Sequence, residues 1–136
     1  QESTAQFPSG LSQSIFNGLT KHYGENGFDE YAKSIQRHYK SQCKELMKAL
    51  HENFPPGFCV YTQPSGGMFL WLSFPTLTKT SNELFEELAH SAKVICVPGD
   101  SFYVPTVGHE SQTYSGPPCL RLSFAYATPE KMREAV

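Results

Sequence analysis

The sequence predicts an α+β sandwich, with one mixed sheet and helices packed on one of its faces. Three observations predict it. Apolar residues recur at helical spacing in some segments and in short strand-like runs in others, in the order helix, helix, strand, strand, helix, strand, strand, helix. Gly, Pro or a capping residue punctuates most of these patterns. The 136 residues are 39% apolar, suit one hydrophobic core and show no internal repeat.

Residues 9–23 read as the first helix. Ser9 can cap it, Leu11, Ile15, Leu19 and Tyr23 share a stripe, and Gly24 ends it. This helix stands apart from the later elements, as if it lay against something outside the chain. The second helix is the strongest local signal: Phe28, Tyr31, Ile35, Tyr39, Cys43, Leu46, Leu50 and Phe54 repeat at helical spacing. Asp29 and Glu30 sit in its first turn, where the helix dipole favours negative charge, and Pro55-Pro56-Gly57 stops it.

Residues 58–62 read as a short strand ending at the turn Gln63-Pro64-Ser65-Gly66-Gly67. Residues 68–74 are a nearly continuous apolar run, which predicts a strand covered on both faces and paired with the first as a hairpin. A third helix follows over residues 81–92. Thr80 and Glu83 have capping-box spacing, and Leu84, Phe85, Leu88 and Ala92 form its apolar stripe. Residues 94–97 read as a short buried strand broken by Pro98-Gly99. Residues 103–118 show no regular pattern, and loops of that length often carry function. A strand over 120–125 comes next. Thr128 then caps a last helix with Pro129 at its first position, and the sequence reaches Val136 early in that helix.

Composition narrows the chemistry. A net charge of −2 gives no electrostatic reason to expect nucleic acid or an anionic membrane as partner. No apolar run approaches the roughly 20 residues that span a bilayer. No basic stretch followed by an apolar one opens the chain, and the absence of an initial Met suggests a fragment or a processed chain. Cys43, Cys59, Cys96 and Cys119 form no C-x-x-C pair, and buried free thiols in a reducing compartment are expected. An intracellular location, cytoplasmic or mitochondrial, goes with that. His22, His38, His51, His90 and His109 lack metal-ligand spacing, so no metal site is expected. No phosphate-binding loop, dinucleotide fingerprint or nucleophile turn occurs.

The informative segment is Cys119-Leu120-Arg121-Leu122-Ser123-Phe124-Ala125. Side chains alternate along a strand, so Leu120, Leu122 and Phe124 would face the helices while Arg121 and Ser123 face the other way. A guanidinium amid apolar residues needs a partner, and its planar fork matches a carboxylate. That carboxylate can equally be an internal Asp or Glu. Phe69 follows Gly66-Gly67, and Phe102 follows a strand end at Pro98-Gly99-Asp100-Ser101, both places where ligands approach. Both can equally fill the core, and Trp71 and Phe74 read as core.

Taken together, Gly66-Gly67-Met68-Phe69-Leu70-Trp71, then Val97-Pro98-Gly99-Asp100-Ser101-Phe102-Tyr103-Val104, then Leu120-Arg121-Leu122-Ser123-Phe124 resembles the C-terminal region of class I/II aminotransferases of the aspartate aminotransferase fold. The nearest branch is the kynurenine/2-aminoadipate group, with related aromatic aminotransferases of fungi. Gly27-Phe28 and Ala127-Thr128-Pro129-Glu130-Lys131-Met132 fit that branch as well. The resemblance implies the small domain of the fold-type I transferases that depend on pyridoxal phosphate. Residues 1–24 would be the end of the large domain and an interdomain helix. Residues 25–136 would be the C-terminal small domain, truncated in its last helix. It implies amino-group transfer between an amino acid, of aromatic, kynurenine or 2-aminoadipate type, and a 2-oxo acid. Arg121 would clamp the substrate α-carboxylate, and Phe69 and Phe102 would line the side-chain pocket. Pyridoxal 5'-phosphate would be held mainly by a large domain, on a lysine upstream of residue 1. No catalytic residue would then lie in this chain, which alone would be inactive. A homodimer with active sites near the interface is also implied. The stretch between Phe102 and Arg121 is longer than in that branch, which bears on substrate preference. A lyase or synthase of the same fold, or a stand-alone binding module without cofactor, are the alternatives.

Overall fold

Ser9 begins the first helix as expected: its Oγ accepts the Ser12 backbone N–H at 3.3 Å. In the computed structural model, which describes residues 9–105 and 114–136, this helix is α1 (Gly10–Asn53). Its backbone is broken at Gly24 (φ 64°, ψ 176°). Glycine enters that region without the penalty a Cβ would bring. The expected stop at Gly24 is therefore a break after which helix resumes at once.

The chain divides into two units, Gln1–His38 and Tyr39–Val136. Among the described residues of the first unit no side chain is buried. Leu11, Ile15, Phe16 and Leu19 are exposed, and ring pairs such as Tyr23 stacked on Tyr31 at 5.6 Å decorate the helix.

The second unit holds the sheet: β1 (Val60–Tyr61), β2 (Phe69–Ser73), β3 (Val97–Pro98) and β4 (Cys119–Ser123), in the order β1-β2-β4-β3. The β1–β2 hairpin is as expected. The sheet is not mixed, however, because each of its three pairings is antiparallel. The reason lies in the connections. The chain crosses from β2 through α2 (Ser81–Glu87) to β3, and this delivers β3 parallel to β2. The later strand β4 then inserts between them, antiparallel to both, as in a split β-α-β unit.

Helices cover one face. Leu46 and Leu50 of α1, Leu84 of α2 and Met132 of α3 (Pro129–Ala135) enclose Leu70, Leu72, Leu120 and Phe124. Polar groups at this core find partners. The Gln42 side-chain amide donates to the carbonyls of Phe124 (3.3 Å) and Ala127 (2.7 Å). Ser81 Oγ accepts the Cys119 N–H at 3.0 Å.

The predicted caps at Thr80 and Thr128 also form. Thr80 Oγ1 accepts the Glu83 N–H at 3.2 Å while Glu83 accepts the Thr80 N–H at 2.7 Å, and Thr128 accepts the Lys131 N–H at 3.4 Å. The helix expected over 81–92 changes to a π-helical turn at Leu88–Ala92, and Lys93 closes it in the left-handed conformation (φ 57°). The strand expected over 94–97 is shifted to Val97–Pro98, with Ile95 exposed. Pro98 is tolerated because β3 is an edge strand. Residues 106–113 of the expected loop lie outside the described residues.

Candidate functional site

The strand read as covered on both faces is covered on one. Along β2 burial alternates, with Leu70 and Leu72 inside while Phe69 and Trp71 are each 43% exposed. Across the ladder Trp71 opposes Arg121, Phe69 opposes Ser123 and Leu70 opposes Leu122. Phe69, Trp71, Arg121 and Ser123 therefore share the face the helices leave bare. The split into a helix-facing row (Leu120 and Leu122 of β4, and Phe124 just after it) and an opposite row (Arg121, Ser123) is as expected.

Arg121 lies between two rings. Its Cζ is 4.2 Å from the Phe69 centroid and 4.6 Å from that of Phe102. A guanidinium at these distances is attracted by the ring quadrupole and loses water on its flat faces. Phe69 comes from β2. Phe102 comes from the 3-10 turn Gly99–Phe102, which follows β3 directly. That turn sits so close to β4 that a Cβ on Gly99 would lie 2.7 Å from Cys119 Cβ and 3.0 Å from its carbonyl oxygen. Trp71, read from sequence as core, instead packs edge-on against Phe102, with centroids 5.4 Å apart at 75°. Phe74 is buried in the core as read.

No carboxylate of the described residues pairs with Arg121, whose Nε is buried without a hydrogen-bond partner. The alternative that an internal Asp or Glu neutralises it thus finds no support among the described residues. What remains is a cation on a bare, aromatic-lined face with donors to offer an anion. The structure brings Arg121, Phe69 and Phe102 together and adds Trp71. Trp71 is two residues after Phe69, so strand alternation places it on the same side. The apolar run from Met68 to Phe74 masks that signal, because both faces of β2 are apolar.

The other side chains considered from sequence lie apart from this face or lack metal-ligand grouping among the described residues. No group of three metal-ligating side chains occurs. His22, His38, His51 and His90 are exposed, and His109 lies outside the described residues. The four cysteines are free thiols, Cys96 and Cys119 buried, Cys43 and Cys59 half-buried. Burial pushes the Cys43, Cys59 and Cys96 thiols above their usual range, away from the nucleophilic thiolate. Among the described residues no helix is long and apolar enough to cross a membrane.

Comparison with known proteins shows the family. The family model described as Aminotransferase class I and II matches residues 3–136. Aromatic-amino-acid aminotransferase 1 of Thermococcus litoralis is 34% identical over 115 residues, covering 84% of this chain and 25% of that protein. The mitochondrial kynurenine/alpha-aminoadipate aminotransferase of Rattus norvegicus is 30% identical, covering 92% of this chain and 27% of its own length. The chain spans about a quarter of the length of these curated relatives. Among solved structures, LysN, the alpha-aminoadipate aminotransferase of Thermus thermophilus, superposes with a TM-score of 0.71 at 30% identity. The match covers 92% of this chain and 28% of that one, which is complexed with N-(5'-phosphopyridoxyl)-L-leucine. With the small-domain α+β fold of those enzymes and a match along nearly its whole length, this chain belongs to the class I and II aminotransferase family.

Proposed function

We propose that the full-length protein is a pyridoxal 5'-phosphate-dependent transaminase and that this chain holds the substrate. It would move an amino group between an amino acid of aromatic, kynurenine or 2-aminoadipate type and a 2-oxo acid. The observation that carries the reading is Arg121: a guanidinium between two phenyl rings, with no acidic partner among the described residues and an orphaned Nε. The names of the relatives, aromatic and kynurenine/alpha-aminoadipate aminotransferases, support the substrate class.

The donor set fits a substrate better than it fits the cofactor's anchoring. One guanidinium fork suits a carboxylate, and the flanking rings suit an apolar or aromatic side chain. Pyridoxal phosphate, when bound, supplies an electron sink at the substrate α-carbon. The lysine that carries it would belong to the part of the protein upstream of residue 1. Arg121 fixes the carboxylate, which sets the bond at the α-carbon that is aligned for reaction. Phe69 and Phe102 displace water from beside the guanidinium, which strengthens its attraction for the anion. Ser123 lies beside Arg121 on the same face and adds a hydroxyl, with its Oγ 3.4 Å from the Ala125 N–H. Residues 1–24 would connect to a large domain, residues 25–136 would form the small domain, and two copies would make the active dimer.

Arg121→Ala in the full-length enzyme tests the reading. Loss of a desolvated charge partner costs about 2 kcal/mol or more, so kcat/KM for amino-acid substrates should fall at least roughly 30-fold. Kinetics equal to the wild type would remove Arg121 from substrate binding.

A further inference from the structure

We infer that Trp71 is a positioning residue: it holds the Phe102 ring against the guanidinium of Arg121 and so tunes the binding of substrates with aromatic side chains. The inference rests on the site reading above and names a residue that reading does not use.

The two rings that flank Arg121 are not held equally well. Phe69 is part of β2, whose full length is paired with β4 from Phe69↔Ser123 to Ser73↔Cys119. Its backbone is fixed by the ladder. Phe102 ends a four-residue 3-10 turn at the sheet edge, and β3, from which that turn departs, has only two paired residues. Beyond the bonds within the turn, Tyr103 N–H closes it on the Asp100 carbonyl at 3.2 Å. Phe102 is 42% exposed. The close approach of Gly99 to Cys119 anchors the start of the turn, and Phe102 sits at its far end.

Trp71 provides such a contact. Its Cα is the ladder partner of Arg121, so the indole rises from the sheet next to the arginine stem. From there it meets Phe102 edge-to-face at 5.4 Å and 75°, a favoured aromatic geometry. Strand β2, paired on both sides, thereby supports both walls around Arg121: Phe69 directly and Phe102 through Trp71. Without the indole, Phe102 keeps its place in the chain and its contact with Arg121 but loses the ring that meets it edge-to-face.

A double-mutant cycle in the full-length holoenzyme tests this, with Trp71→Ala, Phe102→Ala, the double variant and Trp71→Phe. An aromatic pair of this geometry corresponds to roughly a 2- to 10-fold effect. KM for an aromatic amino acid should rise by about that factor in Trp71→Ala, with kcat within about 2-fold of wild type. Trp71→Phe should recover most of it, because a ring edge is restored. The double variant should be no worse than Phe102→Ala, because Trp71 acts through Phe102. Additive effects in the cycle, or an unchanged KM in Trp71→Ala, would overturn the positioning role. If Trp71→Ala does not fold, Trp71→Leu replaces it in the cycle, filling the space without a ring. Arg121→Ala is measured alongside. A loss there with an additive cycle sinks this inference alone, whereas wild-type kinetics there sinks the site reading and this inference with it.

Discussion

The guanidinium of Arg121 is a planar cation set against two apolar rings, with Cζ 4.2 Å and 4.6 Å from their centroids. That arrangement separates charge from shape. Lysine would keep the charge but neither stack as a plane nor offer a fork. Arg121→Lys in the full-length enzyme should therefore fall between wild type and Arg121→Ala, with kcat/KM reduced about 10-fold. Steady-state kinetics with one amino acid across the three proteins checks the order, and a lysine variant as active as wild type would show that charge alone suffices. Arg121 was legible in the sequence because alternation along β4 puts it opposite three apolar residues. Phe69 and Phe102 were legible chiefly through family resemblance, since a phenyl ring carries no chemical mark of its own. Trp71 was not legible. Its face of β2 is aromatic instead of polar, so the two-residue period that betrays a half-bare strand vanishes from the sequence.

At the scale of elements, boundaries set by side-chain chemistry were readable and those set by tertiary pairing were not. Ser9, Thr80 and Thr128 each cap the helix that follows, as their spacing predicts. The insertion of β4 between β2 and β3 has no local signature, which is why the antiparallel pairing escaped the sequence reading. Two predictions belong here. The Glu83 carboxyl is held below its usual range, first by the Thr80 backbone N–H, then by the Thr80 hydroxyl and, least, by Lys79, against slight desolvation. A carboxylate depressed by folding stabilises above its unfolded titration range, near pH 4.3, and loses that contribution as pH falls through the folded value. Thr80→Ala should cost about 1 kcal/mol near neutral pH. Urea unfolding should show that gap shrinking as pH falls below the usual carboxylate range, as Glu83 becomes protonated and the Thr80 hydroxyl no longer faces a carboxylate. A gap that is constant with pH would mean that the bond between the Thr80 hydroxyl and the Glu83 carboxylate adds nothing. Gly99→Ala acts on packing instead. The new methyl would sit 2.7 Å from Cys119 Cβ, against a strand bonded on both sides, so the turn must move. A loss of about 1–3 kcal/mol is expected, with a rise in substrate KM because Phe102 rides on that turn. Wild-type stability and KM in this variant would show that the turn adjusts freely.

For the molecule as a whole, the two units differ in what supports them. The unit Tyr39–Val136 has a core in which Leu50, Leu70, Leu72, Leu120 and Phe124 are almost fully buried. In Gln1–His38 the described residues are helical, but Leu11 is 73% and Ile15 is 62% exposed, and no side chain among them is buried. Sequence periodicity gave both units the same apolar stripe, because a stripe states that a face wants cover and not where the cover comes from. Helices without packing depend on propensity and are marginal in water. Amides in such a helix open locally, while amides in the central strands open only when the core does. Hydrogen–deuterium exchange on the 136-residue chain should therefore show residues 10–38 exchanging at least about 10-fold faster than Phe69–Ser73 and Cys119–Ser123. Both regions have their backbone hydrogen bonds formed, so the difference isolates burial from backbone pairing. Equal protection in the two regions would mean that the apolar stripe of the first unit is covered in solution by something, such as a second copy of the chain. In that case protection of residues 10–38 should fall on dilution, while that of the two strands should not.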